Sequence, residues 1–412
     1  MQVTICGGGN SAHVAAGYLA AKGHTVNVLT TKPEKWSTTV TVTTATSVWK
    51  ERGNFVGKLN RVSGKAKDVI PGSEVVLICG PAHVHGIIAA NVAPHLSPDT
   101  YIGTIFAQGG FDWIVRGSLG SKAMENVAAI FGLQNIPWIC KTTVYGSEAR
   151  ILGPKDSLRG ACSPPHLTPH VVGIIEDLFD IPTVGLPNFL CLTLTPSNQI
   201  IHPARYSSIF ADYVPGKRYT KQELADRNGL TLYEDFDAAS AECLSRLDNE
   251  LQTIKHLMVR KFPQLDLSSI QPIKDRIVNT YGKSVGDPTS LLSTMRTNEG
   301  YKGCGTPLTS HPDGTFSPAA NSRLFWEDIP FGLCILKHLA ELLGDLPVPT
   351  VEQQIRWHQN LMGKEFLLPS GRLNPLLMME TGAAGKYGLH RIEDVVAGSI
   401  PTPMLGYKMS KL

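Results

Sequence analysis

The stretch Gln2-Val3-Thr4-Ile5-Cys6-Gly7-Gly8-Gly9-Asn10-Ser11-Ala12 decides the fold. Its first five residues read as a buried strand. A glycine turn follows, and a helical pattern continues through Lys22. His24-Thr25-Val26-Asn27-Val28-Leu29-Thr30 then reads as a second strand, completing a βαβ unit. Gly7, Gly9 and Ala12 match the G-x-G-x-x-A dinucleotide fingerprint. Gly7 is expected to make the tight turn and Gly9 to admit a pyrophosphate. Ala12 lets the helix lie close on the sheet, while the helix N-terminus offers free N–H groups to phosphate. Asn10 in the turn, Thr30 ending the second strand and Pro81 ending a later one are the other expected cofactor contacts. Leu29-Thr30-Thr31 carries no acidic residue for the ribose, and Lys32 follows, so spacing alone leaves NAD against NADP open.

Outward from that unit, 412 residues predict two or three domains with ample core. A 42% hydrophobic and 18% charged composition fits a soluble globular chain, and a net charge of +3 without basic runs argues against nucleic acid. No apolar run is long enough to span a bilayer, and the opening strand leaves no place for a secretory signal. The eight cysteines are scattered without C-x-x-C spacing, which predicts buried thiols, no disulfides and no metal site. The ending Ser410-Lys411-Leu412 matches a receptor-read peroxisomal address, so the expected location is peroxisomal, cytosolic, or both.

The first half alternates strand and helix. Glu74–Gly80, Tyr101–Phe106, Val127–Phe131 and the run around Thr142–Leu152 read as strands, and Thr168–Phe179 as a helix. Ligands of such doubly wound sheets lie beyond the carboxyl ends of the strands, which singles out Gly80-Pro81-Ala82 and Gln108-Gly109-Gly110 as cleft loops. The pattern changes near Leu186-Pro187-Asn188. Beyond it helical periods dominate, as in Leu244, Leu247, Leu251, Ile254 and Met258. Ile329–Leu343 reads as a helix, Thr350-Val351-Glu352-Gln353 as a capping box, and Asp212–Asn228 as a surface loop. The expectation is an α/β Rossmann-type doubly wound domain over 1–188, followed by an all-helical C-terminal domain over 189–412.

A nicotinamide enzyme reducing C=O or C=N needs a proton donor near the carbon that receives hydride. His202, in Asn198-Gln199-Ile200-Ile201-His202-Pro203, is the distinctive histidine, one helical turn after Asn198. Asp328, in Trp326-Glu327-Asp328-Ile329-Pro330, sits at a helix start, where a carboxylate caps N–H groups. Gln108, Cys140 and Asn198 are the expected substrate contacts.

Several short stretches share an order with one family: Cys6-Gly7-Gly8-Gly9-Asn10 with Ala12-His13, Trp138 and Cys140, His202-Pro203-Ala204, Tyr301-Lys302-Gly303, Glu327-Asp328-Ile329-Pro330 and Gly363-Lys364-Glu365-Phe366. On these the chain resembles the animal opine dehydrogenases of the octopine dehydrogenase family over nearly its full length. The resemblance implies NADH-dependent condensation of pyruvate with an amino acid through an imine, regenerating NAD in glycolysis. It implies a His202–Asp328 dyad, an Arg323 that reaches the cofactor pyrophosphate, and a monomer. Tyr206 to Asp235 departs from the octopine-type pattern and tilts the amine toward a small amino acid or taurine. An arginine substrate would call for carboxylates, with Glu223, Asp226, Glu234 and Asp235 as candidates. Two other readings share the plan: a hydroxy-acid or sugar-phosphate dehydrogenase, and a silent NAD(H) sensor.

Overall fold

The computed structural model describes residues 1–44 and 53–399, so the Ser410-Lys411-Leu412 ending lies outside the described residues. In chain order the strands of the first half are β1 (Gln2–Cys6), β2 (Thr25–Leu29), β3 (Thr39–Thr44), β4 (Phe55–Lys58), β5 (Arg61–Ser63), β6 (Val75–Ile78), β7 (Thr100–Thr104), β8 (Val127–Leu133), β9 (Trp138–Val144), β10 (Glu148–Pro154), β11 (Leu158–Ser163) and β12 (Thr183–Gly185). Eight of them form one sheet in the order β12-β11-β8-β7-β6-β1-β2-β5. All its pairings are parallel except β8 with β11. This is the expected Rossmann-type doubly wound sheet.

Alternation along the strands divides the core. Val75 and Leu77 point to one face, and Val76 and Ile78 to the other. The first face packs on the Asn10–Ala21 helix and a second, four-stranded sheet, β4-β3-β10-β9. The other face belongs to one continuous apolar core running through Phe189 and Leu190 into the helical lobe, where Leu244, Leu247, Leu251, Ile254 and Met258 are all buried. The two lobes therefore share a core.

Several local expectations need correction. The run around Thr142–Leu152 is a hairpin of the second sheet, β9 and β10, outside the doubly wound one. The helical lobe carries one small hairpin, Leu308–Ser310 with Phe316–Pro318. Asp212–Asn228 holds a short helix, Lys221–Asp226, opened by a Thr220–Glu223 capping box. The Thr350 capping box does not form. That helix begins at Pro349, and Glu250 from another helix accepts the N–H groups of Thr350 and Val351 at 2.7 and 2.9 Å. A carboxylate arriving from outside serves the same orphan donors. Among the described residues no helix is long and apolar enough to cross a membrane, and no cluster of metal-ligating side chains occurs.

Three buried histidines set an acid limit on this core. Burial pushes His85, His338 and His358 from the ordinary 6.5 down to about 4. Unfolded, each binds a proton near pH 6.5; folded, only near 4. Between those values the unfolded state holds more protons, so stability falls as pH falls, by about 1.4 kcal/mol per pH unit for each histidine. Asp112, which burial raises from 3.8 to about 6, opposes them, as do Asp248 and Asp328, whose carboxyls burial also raises. Thermal melts are expected to show a lower Tm at pH 5 than at pH 7; a Tm at pH 5 equal to or above that at pH 7 contradicts this account.

Candidate active site

The site begins where β1 ends. A Cβ on Gly7, whose φ is +152°, would stand 2.4 Å from the Cys79 carbonyl oxygen, so only glycine lets β1 and β6 end side by side there. Gly9 opens the Asn10–Ala21 helix without any side-chain cap. Its first N–H groups stay available to an anion. A cavity of about 500 Å³ lies against this turn, lined by Gly9, Asn10, Ser11 and Pro81 from the sheet lobe and by Asn198, Arg276, Arg323 and Glu327 from the helical lobe.

One rim is fastened by His13. Its Nδ1 donates to the Gly9 carbonyl at 2.9 Å, and its Nε2 accepts the Gly146 N–H at 2.7 Å. The ring stacks on Trp36 with centroids 4.2 Å apart. This ties the β9–β10 turn to the glycine turn and sets Tyr145 over it. Burial holds His13 below the ordinary imidazole range, which keeps the accepting nitrogen unprotonated.

The opposite wall carries the dyad. His202 sits on the Asn198–Ile209 helix, and its Nδ1 lies 2.8 Å from Asp328 Oδ2. A carboxylate accepts, so the proton sits on Nδ1 and Nε2 is the acceptor. Nε2 receives the Tyr233 hydroxyl at 2.8 Å. Both dyad residues are buried just behind the cavity wall, whose surface is formed by their neighbours Asn198 and Glu327. Asp328 was expected to cap a helix. Its side chain caps nothing and turns to His202. The backbone explains why. Pro330 has no N–H, and the chain widens into a π-type turn in which the Asp328 carbonyl accepts from Leu333. Gly332 then lets the two helices meet: a Cβ there would stand 2.3 Å from Gln199 Cβ. Burial raises the Asp328 carboxyl, and the adjoining His202 pulls against that rise.

Comparisons with known proteins bear on the family and the fold. The family model described as NAD/NADP octopine/nopaline dehydrogenase, alpha-helical domain, matches residues 185–362. Tauropine dehydrogenase of Arabella iricolor is 28% identical over 408 residues, covering 96% of this chain and 99% of that protein. The uncharacterized protein y4xO of Sinorhizobium fredii is 30% identical over 381 residues, covering 88% of this chain and 96% of that protein. The chain belongs to the opine dehydrogenase family. A solved octopine dehydrogenase in complex with NADH and agmatine shares the fold, with a TM-score of 0.84 at 24% identity over 99% of this chain and 100% of that one.

Within this opine dehydrogenase fold the other expected positions divide. Gly9, Asn10, Pro81, Cys140, Asn198 and Arg323 line the cavity. Burial pushes the Cys140 thiol up to about 11, so it stays protonated. Ala12, in the first turn of the Asn10–Ala21 helix, is fully buried, as its packing role requires. Thr30 is buried at the end of β2, beside the turn and off the cavity wall. Gln108 is a correction. Its amide donates to the Thr195 carbonyl at 3.1 Å and accepts the Ser197 N–H at 3.4 Å, so it braces the loop before the His202 helix. Glu223, Asp226, Glu234 and Asp235 bond to Thr220, Gln222, Gly303 and Thr231, and none lines the cavity.

Tyr233 and Glu327 are among the residues that escaped sequence reasoning. Tyr233 lies in a segment that Arg205 braces on both sides, reaching from the His202 helix to the Thr231 carbonyl at 3.0 Å and Asp237 at 2.9 Å. Glu327 joins the lobes: one oxygen accepts the Ala82 N–H at 3.0 Å, and the other accepts Arg323 Nε at 2.9 Å. Glu327→Ala strands a buried N–H and is expected to lower stability by about 1–3 kcal/mol in chemical denaturation. Arg323→Ala is expected to stay within about 0.5 kcal/mol, because that side chain is 71% exposed. Equal effects, or the reverse order, would refute the assignment of Glu327 as the bridging group.

Proposed function

We propose that the protein is an NADH-dependent opine dehydrogenase that condenses pyruvate with a small amino acid or taurine and reduces the resulting imine, regenerating NAD for glycolysis. One observation carries this reading: a buried imidazole–carboxylate pair from the helical lobe stands behind a cleft whose other wall is the dinucleotide turn. The turn fits a pyrophosphate, since Gly9 leaves its cavity side open and the helix behind it has no side-chain cap. Gly7, Gly9, Asn10, Pro81 and Arg323 would hold the dinucleotide, and bound NADH supplies the hydride. The octopine dehydrogenase complex with NADH supports the choice of NAD over NADP.

The chain's own residues handle protons. A free amine adding to the keto carbon of pyruvate gives a carbinolamine, which loses water once its hydroxyl is protonated. His202 Nε2 is the group to deliver that proton and to take one from the incoming ammonium. Asp328, bonded to Nδ1, keeps the ring oriented and stabilises it when charged. The overall balance is keto acid, amine, NADH and one proton giving the secondary amine, NAD and water.

The decisive experiment is a coupled assay. NADH oxidation with pyruvate is expected to require an added amine; turnover with pyruvate alone would make the protein a hydroxy-acid dehydrogenase. His202→Asn is expected to lower kcat by about 10²–10⁴-fold with NADH affinity retained. Unchanged kcat would remove His202 from the chemistry. The Ser410-Lys411-Leu412 ending supports delivery to peroxisomes beside a cytosolic pool. A fluorescent protein carrying this tail should co-localise with a peroxisomal marker, and diffuse fluorescence would refute that location.

A further inference from the structure

Beyond the dyad, the cavity continues into a second chamber of about 540 Å³ that shares Lys155, Arg276 and Tyr281 with it. The charge there is one-sided. Lys155, Arg159, Arg276 and Lys283 line the second chamber, against a single carboxylate, Asp156. In the first chamber the one acidic group, Glu327, is already taken by Arg323 and the Ala82 N–H.

Arg276 is the group that lacks an explanation. It is only 7% exposed, on the Ile273–Tyr281 helix. Nη2 donates to the Pro196 carbonyl at 2.7 Å, two residues before Asn198 and the start of the His202 helix. Nε and Nη1 are buried with no hydrogen-bond partner among the described residues. Asp248, the carboxylate that attracts it, already accepts the Ile273 N–H at 3.0 Å. A buried guanidinium with unmet donors is costly and matches a planar oxyanion in charge and geometry. Aromatic rings join this spot to the dyad: Tyr233, on His202 Nε2, stacks on Tyr301 at 4.4 Å, and Tyr301 meets Tyr281 edge-on at 5.0 Å. Lys155 lies 4.8 Å over the Tyr281 ring.

We infer that Arg276 is the seat for the acid group of the amine substrate, a carboxylate or sulfonate, and thereby sets which amines the enzyme accepts. This rests on the opine dehydrogenase reading above and adds the class of amine: a short donor whose far end is anionic. Burial pushes the Arg276 guanidinium down to about 10, so it is charged at neutral pH.

The test compares taurine and β-alanine, which carry the acid group, with ethanolamine, which does not, on NADH-loaded wild type, Arg276→Gln and Arg276→Lys. Melting curves identify any variant that fails to fold. Arg276→Gln is expected to lose roughly 10- to 150-fold in kcat/KM for taurine or β-alanine relative to ethanolamine, with little change in KM for pyruvate. Arg276→Lys should recover part of it. An unchanged preference overturns the inference. So does a rise confined to the KM of pyruvate, which would place the keto acid's carboxylate on Arg276. If wild type oxidises NADH with no amine, the catalytic reading fails separately. Calorimetric titration of taurine and β-alanine then decides the seat: binding to wild type that Arg276→Gln abolishes supports it, and absence of binding to wild type refutes it.

Discussion

The hydrogen bond between His202 and Asp328 is the constraint around which the helical lobe is arranged. Neither group tolerates burial alone: a carboxylate without a donor, or an imidazole without its orienting acceptor, would relax the site or leave it. Satisfying both requires two helices to approach closely and at one rotation. Pro330 and Gly332 achieve this on one side, by widening a turn and by removing a Cβ. Pro203, directly after His202, interrupts the hydrogen-bond ladder of the other helix. Irregular backbone gathers where the chemistry is placed, and the regular helices further out supply the apolar support.

The first βαβ unit was legible because its information is local. A turn that needs glycine, a helix that needs small residues and two apolar strands all fall within thirty residues, and the sheet follows. His202 and Asp328 lie far apart in sequence. The helical spacing from Asn198 pointed to the first and the family resemblance paired the two. Tyr233, Glu327 and Arg276 were invisible for the opposite reason. Each matters only through a contact across elements: a hydroxyl on a ring nitrogen, a carboxylate between lobes, a guanidinium at another helix's start. Gln108 shows the converse error. Its loop lies where the doubly wound rule places a ligand, yet its amide faces inward to Thr195 and Ser197. The helix at Thr350 forms as its sequence suggests, but its capping box does not, because the cap comes from Glu250, a hundred residues away in the chain.

The second sheet belongs to the cleft as much as to the core. Its β9–β10 turn is held to the dinucleotide turn by His13, with Trp36 stacked on the same ring. The glycine turn is thus gripped between the main sheet and a hairpin whose tip carries Tyr145. Glu327 gives the facing lobe its own hold on the sheet through Ala82. Both walls are anchored by groups that bond backbone N–H, and neither anchor depends on an exposed ion pair.

Tyr233 has a consequence for the order of events. Its burial keeps the phenol protonated, and its hydroxyl fills the one lone pair through which His202 could act. A lone pair serves one proton at a time. In this arrangement the ring is chemically silent toward pyruvate, and it becomes available only when an arriving molecule displaces the phenol. Under the proposed reaction, Nε2 would take a proton from an arriving ammonium only after the phenol has left it, so an exchange of partners at that nitrogen would precede the chemistry.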